Sequence, residues 1–171
     1  MNTRFSNELM KLIPGFCGTF PCDLLPSPKP YSSFVVNTDT SDYGGEHWIA
    51  IYIAQSNWYF FDSFGRTIDQ FPDPFKKYMK KASKNFNVRT SSQPLQSYKS
   101  NSCGYWCAYF LYCKTMNYTF MFKDFSNDRK RNEAVLYHFM EYQLKLLPEF
   151  MHRFKLTKRQ KRMLLEIRLA L

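Results

Sequence analysis

Residues 96–113 read QSYKSNSCGYWCAYFLYC, and in this stretch a polar loop leads directly into an apolar segment. Asn101 and Ser102 are residue types that favour the N-cap of a helix. The residues that follow them are apolar on every side, which is typical of a buried helix. We therefore predict a central helix with Cys103 in its first turn, around which the rest of the chain folds.

The predicted position gives Cys103 the properties of a nucleophile. A helix N-terminus has unpaired N–H groups and a partial positive charge, which lower the pKa of a thiol, and the thiolate is the reactive form. The same N–H groups can hold an oxyanion, Gly104 leaves room for a substrate carbonyl, and Gln96 offers a side-chain amide donor. A buried structural cysteine is the alternative, because free cysteine is among the most buried residue types. A base and an orienting carboxylate elsewhere in the chain would favour the interpretation of Cys103 as a nucleophile over that of a structural cysteine.

A predicted β-hairpin supplies both groups. Residues 47–54 (HWIAIYIA) are rich in β-branched and aromatic side chains, and residues 58–62 (WYFFD) form the return strand after a short turn. The two strands show little polar alternation, so we expect both faces of the hairpin to be buried. His47 and Asp62 then lie side by side at the open end of the hairpin, where the carboxylate can orient the imidazole.

Each of these residues also has an ordinary structural interpretation. His47 alone would be a core histidine at a strand end, and Asp62 alone would be a turn carboxylate. The coincidence of both with Gln96 and Cys103 favours a catalytic set in the chain order His, Asp, Cys.

Composition and charge limit the classes of protein. A length of 171 residues with 44% hydrophobic and 19% aromatic residues predicts one packed domain over residues 1–171. The net charge of +10 favours nucleic acid, an anionic membrane or an acidic polypeptide as partner. No apolar run approaches the length of a membrane span, so we expect no membrane partner.

The cysteines favour an intracellular, reducing compartment. Their number, five, is odd, and the first residues, MNTRFSNELMKLIPGF, lack the apolar region of a signal peptide. Cys17, Cys22 and His47 are too loosely spaced for a zinc site, so we expect no metal.

The remaining elements follow from periodicity and from Gly and Pro. We predict helices over residues 6–13, from near Pro74 within residues 69–86, and over residues 127–147 with Leu136, Phe139, Met140 and Leu144 inward. Strands are predicted over residues 34–38 and 88–90, with a surface loop over residues 16–31.

Two segments concentrate the positive charge. One is the helix near Pro74, and the other is residues 152–171, which carry seven basic residues against Glu166. Each is either a solvated helix face or a surface that contacts phosphates without reading bases. The predicted nucleic-acid-binding residues are Lys76, Lys77, Lys80, Lys81, Lys158, Arg159, Lys161 and Arg162.

Several short motifs carry a family resemblance. They are Gly18-Thr19-Phe20, Val36-Asn37-Thr38, Gly44-Gly45-Glu46-His47-Trp48, Phe60-Phe61-Asp62-Ser63-Phe64-Gly65 and Gln96-(x)6-Cys103-Gly104-(x)2-Cys107. In order and spacing they resemble the adenovirus-type cysteine proteases over roughly residues 5–140. That family is similar in fold to the SUMO-processing proteases. The resemblance implies an α+β fold of the papain-like type, in which a central helix carrying the cysteine packs on a mixed sheet.

The resemblance also implies roles for individual residues. His47 would be the base, Asp62 its orienting acid, Cys103 the nucleophile and Gln96 an oxyanion donor beside the Cys103 N–H. The substrate cleft would run past the residues predicted to bind substrate, which are Gly45, Trp48 and Gly104.

The implied function is a cysteine endopeptidase that cuts precursor proteins of a virus or virus-like element near small residues, at Gly-Gly sites. Its partners would be capsid or core protein precursors and non-specific DNA, and it would act as a monomer in the host nucleus and the virion. No cofactor is required on this interpretation, although DNA and a peptide activator are known in the family. The alternatives are a non-catalytic basic scaffold that binds nucleic acid, and a protease that removes a ubiquitin-like modifier.

The sequence departs from the adenoviral pattern in two places. The adenoviral enzymes carry Glu where Asp62 stands, whereas the SUMO-processing proteases use Asp. They also attach a basic peptide through a cysteine ahead of the glutamine, and the matching residues 84–89 contain no cysteine. The sequence therefore does not support covalent activation by that route.

Overall fold

The computed structural model describes residues 13–117 and 125–145, together with Asn7, Met10 and Lys11, with side chains described as far as Met140. The strands are β1 (Phe16–Pro21), β2 (Ser32–Asn37), β3 (Trp48–Ile53), β4 (Asn57–Phe61) and β5 (Asn87–Thr90). The helices are α1 (Asp73–Ser83), α2 (Cys103–Thr115) and α3 (Arg129–Lys145), and a short 3-10 helix covers Ile68–Gln70.

The strands form one mixed sheet in the order β1-β2-β3-β4-β5. The three central strands pair antiparallel, and each outer strand pairs parallel with its neighbour. The predicted α+β class with a mixed sheet is confirmed, and so is the antiparallel hairpin, in which Ala50 faces Phe61 and Ile53 faces Trp58.

Helices cover both faces of the sheet. Alternation along β3 sends Trp48 and Ala50 into a core with α2, and sends Ile49 and Ile51 into a second core with α1. The prediction that the hairpin is buried on both faces is therefore confirmed.

Helix α2 is the central helix predicted from residues 96–113. Its buried residues lie on every side, and the Phe110 ring stacks on Phe61 of β4 with ring centres 4.7 Å apart. Cys103 lies in the first turn, as predicted. The N-cap residue is Ser102, but its side chain makes no capping hydrogen bond, so the expected capping role is wrong for this residue.

Strand β1 corrects the first six residues of the predicted surface loop over residues 16–31, whereas residues 22–31 contain no helix or strand and are mostly exposed, as expected. The density of Gly and Pro predicted a loop, but β1, which contains Gly18 and Pro21, lies at the sheet edge, and its register with β2 shifts between Phe16 and Thr19. An edge position tolerates both residue types, because the ladder needs regular pairing on one side only.

The remaining predicted helices and the last strand agree with the structure where it describes them. Helix α1 begins beside Pro74, β5 matches the predicted strand, and Leu136 and Met140 of α3 are buried as expected. Asn7 and Met10 are helical, but half of the predicted helix over residues 6–13 lies outside the described residues, as do the Leu144 side chain and residues 152–171. None of the described helices is long and apolar enough to cross a membrane.

Candidate active site

His47 and Asp62 meet at the open end of the β3–β4 hairpin. His47 immediately precedes β3 and Asp62 immediately follows β4, and the His47 Nε2 atom lies 2.5 Å from the Asp62 Oδ1 atom. Both side chains are buried, and Asp62 is fully so. The pairing predicted from the hairpin is confirmed.

Asp62 is held by a second set of donors. Arg66 donates its Nε–H and its backbone N–H to Asp62 Oδ2 at 2.9 and 3.0 Å. Burial alone would raise the pKa of Asp62, but the hydrogen bonds and charges of His47 and Arg66 outweigh it and hold the pKa below its usual value. Asp62 is therefore an anion that can orient and stabilise a charged imidazole.

Arg66 was missed by the sequence interpretation. Its guanidinium lies 4.7 Å from the centre of the Phe71 ring, which fixes it beside Asp62. The sequence signal for this contact was a basic residue four positions after the carboxylate. That signal is weak in a turn, because contacts there depend on the loop conformation.

The His47 ring is fixed from the side as well as by Asp62. Phe64 stacks on it, with ring centres 4.8 Å apart. Burial alone would lower the pKa of His47. The hydrogen bonds and charges of Asp62 and Cys103 outweigh the effect of burial, so the pKa of His47 lies above its usual value. Because Nε2 is bonded to Asp62, Nδ1 is the nitrogen left for the thiol.

Cys103 is half-buried and interacts with His47. Burial raises the pKa of its thiol, but the hydrogen bond and charge of His47 and the N–H groups of Trp48 and Gly104 outweigh this and lower the pKa. The arrangement favours a thiolate beside an imidazolium.

Two cysteines on the same helix show the contrasting structural case. Cys107 and Cys113 are buried, and burial raises the pKa of both thiols well above the usual value. They fit the interpretation of cysteine as core, whereas Cys103 is only half-buried and its pKa is lowered.

Gln96 is fixed beside Ser63, the residue that follows Asp62. It is 1% exposed, its Oε1 accepts from Ser63 Oγ at 2.6 Å, and its Nε2 donates to the Ser100 carbonyl at 2.8 Å. A primary amide carries two N–H groups, so the bond to Ser100 uses one of them. Ser63, which directly follows Asp62, was named in the sequence only as part of a motif, without this contact to Gln96.

The three predicted substrate-binding residues have different environments. Gly45 has φ +84°, and a Cβ atom there would collide with the Asn37 side chain, so only glycine fits. Gly104 is buried next to Cys103. The Trp48 side chain is 6% exposed and belongs to the core under α2, so its backbone N–H is what reaches the thiol.

The predicted basic residues lie away from the His47–Asp62 pair or outside the described residues. Lys77, Lys80 and Lys81 are exposed on α1, on the opposite side of the sheet from α2, and Lys76 pairs with Asp73 at 2.6 Å. Lys158, Arg159, Lys161 and Arg162 lie outside the described residues. Within the described part of the chain, no group of three His, Cys, Asp or Glu side chains is placed to hold a metal ion.

Comparison with known proteins gives viral relatives. The proteases of bovine adenovirus 7 and bovine adenovirus 4 are 30% and 29% identical, over 58% and 67% of this chain. This chain spans only 55% and 62% of those two relatives. The protease of snake adenovirus serotype 1 is 25% identical over 77% of this chain and 80% of its own length.

The crystal structure of the ASFV protease shows a weaker likeness. It has a TM-score of 0.38 and 22% identity over 52% of this chain and 36% of its own.

The sequence pattern that describes the adenovirus endoproteases matches residues 15–127. That range is more than half of the chain and includes His47, Asp62, Gln96 and Cys103. The resemblance drawn from the short motifs is confirmed, and the chain belongs to the adenovirus endoprotease family.

Proposed function

We propose that this chain is a cysteine endopeptidase with a papain-like arrangement of its catalytic residues. The observation that carries the proposal is the buried His47–Asp62 pair, which meets Cys103 at the first turn of the central helix. Membership of the endoprotease family supports it. Cys103 would be the nucleophile, His47 the general acid and base, and Asp62 the group that orients and stabilises the imidazolium.

The chemistry follows from these positions. The Cys103 thiolate attacks the scissile carbonyl carbon, and the oxyanion formed is held by the Cys103 N–H and the Gln96 amide. His47 gives its proton to the leaving amine as the C–N bond breaks, which leaves a thioester. His47 then takes a proton from the water that attacks the thioester. As the C–S bond breaks, the carboxylic acid is released and the Cys103 thiolate is restored beside the His47 imidazolium.

The proposed substrates are precursor proteins of a virus or virus-like element, cut near small residues at Gly-Gly sites. The viral origin of the relatives supports substrates of this class. The proposal includes a monomer that acts on capsid or core precursors in the nucleus and the virion.

The test is incubation of the purified chain with peptides that contain a Gly-Gly site, followed by mass spectrometry of the products. Matched peptides with Val-Val in place of Gly-Gly are the control. Cleavage of the first set at the glycine site, sensitive to an alkylating agent, is expected. No cleavage of any peptide or of intact capsid precursors, with or without DNA, would contradict the proposal.

The oxyanion role of Gln96 gives a separate prediction. Gln96→Ala should lower kcat by about 10²- to 10³-fold, which is the usual loss for one oxyanion donor. KM should change little, because the bond forms mainly in the transition state. Peptide kinetics check this, with a thermal melt to establish folding, since Gln96 is buried. Full activity in a folded Gln96→Ala protein would show that another group holds the oxyanion.

We also propose that the lysine face of α1 binds DNA without sequence preference. This face consists of Lys76, Lys77, Lys80 and Lys81, and the last three are exposed, which together with the net charge of +10 supports the proposal. The predicted basic residues of 152–171 belong to the same proposal.

The salt dependence of DNA affinity tests this face. If each lysine contacts one phosphate, replacing all four by glutamine should reduce the slope of log K against log salt by about 3 to 4. Lys130→Gln, on α3, is the control and should leave the slope within about one unit of wild type. Cleavage of a short peptide should be unchanged, because α1 and α2 lie on opposite faces of the sheet. An unchanged slope in the fourfold variant would show that this lysine face does not contact DNA.

A further inference from the structure

The loop between Gln96 and Cys103 is tied to α3 by one carboxylate. Glu133 Oε1 accepts from the Ser97 backbone N–H at 3.2 Å and from the Ser102 hydroxyl at 2.9 Å. It also accepts from the Ser100 hydroxyl. Three donors spread along a short loop therefore converge on one atom of a neighbouring helix.

These contacts lead directly to the Gln96 amide. The Ser100 residue that binds Glu133 through its hydroxyl also receives, at its carbonyl, the hydrogen bond from Gln96 Nε2. The position of the amide is thus set on one side by Ser63 and on the other by a residue that Glu133 holds. Loss of Glu133 would release the second support.

The contact to Ser102 affects the helix N-terminus. A serine at an N-cap usually accepts from the N–H of the second or third helical residue. Gly104 is the second residue of α2, and its N–H stabilises the Cys103 thiolate. The fully buried Ser102 hydroxyl bonds to Glu133 and makes no capping bond, so this N–H stays with the thiolate.

We infer that Glu133 is a positioning residue for the oxyanion site, acting through Ser100 on Gln96 and through Ser102 on the start of α2. It touches no reacting atom and acts through the loop. This inference rests on the proposed peptidase function, and it assigns a role in catalysis to a helix that follows the catalytic residues in the chain.

Three variants test the inference. Glu133→Ala removes the acceptor, Glu133→Gln keeps an acceptor oxygen at the same place, and His138→Ala changes an exposed residue of the same helix. For each variant, kcat and KM on a Gly-Gly peptide are measured together with the affinity for a peptide aldehyde, whose adduct with the thiol has a tetrahedral oxygen in the oxyanion position. A thermal melt gives the folded fraction.

Glu133→Ala is expected to lower kcat by about 10- to 100-fold, the loss that a small misplacement of catalytic groups produces. KM should change little, and aldehyde affinity should fall by a similar factor, because both depend on the oxyanion contacts. Glu133→Gln should recover most of the loss, and His138→Ala should match wild type.

Two results would overturn the inference. One is wild-type kcat and aldehyde affinity in a folded Glu133→Ala protein. The other is a loss of activity that equals the loss of folded protein in the melt, which would make Glu133 purely structural. If the proposed peptidase function were wrong, the wild-type protein itself would cleave no peptide, which distinguishes this case from the two above. The inference about Glu133 would then be wrong as well.

Discussion

Cys103→Ala is expected to lower kcat by at least about 10⁴-fold, because loss of the nucleophile removes the covalent route entirely. The fold should be retained, since the thiol is half-buried at the edge of the core and the change is small. The measurement is hydrolysis of a Gly-Gly peptide by wild type and variant, with a thermal melt of each.

Thiol labelling makes this prediction specific to Cys103. The lowered pKa of Cys103 and the raised pKa of His47 favour a thiolate–imidazolium pair, so Cys103 should react with iodoacetamide at a lower pH than an ordinary thiol does. Reactivity should fall only as the pH drops through the lowered pKa of Cys103. Exposed Cys17 provides an accessible reference thiol within the same chain, and buried Cys107 and Cys113 should remain unlabelled.

The outcome also separates the peptidase from a non-catalytic scaffold. A scaffold predicts that Cys103 reacts no faster than Cys17 at any pH. Wild-type cleavage by a folded Cys103→Ala protein would show that this thiol is not the nucleophile.

The hairpin and the central helix were predictable because their signals are local. β-Branched and aromatic residues on both sides of a short turn define β3 and β4, and this alone places His47 next to Asp62. The unbroken apolar run after Ser102 likewise defines α2 and puts Cys103 at its start. Four catalytic candidates could therefore be selected without any knowledge of the sheet order.

Contacts that depend on distant parts of the chain were not predictable. Strand β1 is stabilised by its parallel partner β2, and Gly18 and Pro21 hide that pairing in the sequence. Glu133 reaches the loop before Cys103 only because α3 docks there, and nothing in its local sequence marks it. The N-cap preference of Ser102 was misleading for the same reason, since a tertiary contact replaces the local one.

Asp62→Asn is expected to lower kcat by about 10³- to 10⁴-fold, with Asp62→Glu as the matched control. Asparagine fills the same volume but cannot stabilise the imidazolium, and its amide can force the wrong tautomer on His47. Glutamate keeps the negative charge, and the family resemblance implies that the adenoviral relatives use glutamate at this position. Asp62→Glu should therefore lower kcat less than Asp62→Asn does. The measurement is kcat/KM across pH for all three proteins.

The pH profile distinguishes loss of charge from loss of folding. Burial lowers the pKa of His47 and Asp62 is among the groups that raise it, so in Asp62→Asn that pKa should fall. The active thiolate–imidazolium pair requires a pH below the His47 pKa and above the Cys103 pKa. The alkaline limb of the residual kcat/KM profile should therefore move to lower pH in Asp62→Asn and stay near its wild-type position in Asp62→Glu. An alkaline limb that does not move, in a folded Asp62→Asn protein with wild-type kcat, would mean that the stacked Phe64 ring orients His47 without help from the carboxylate.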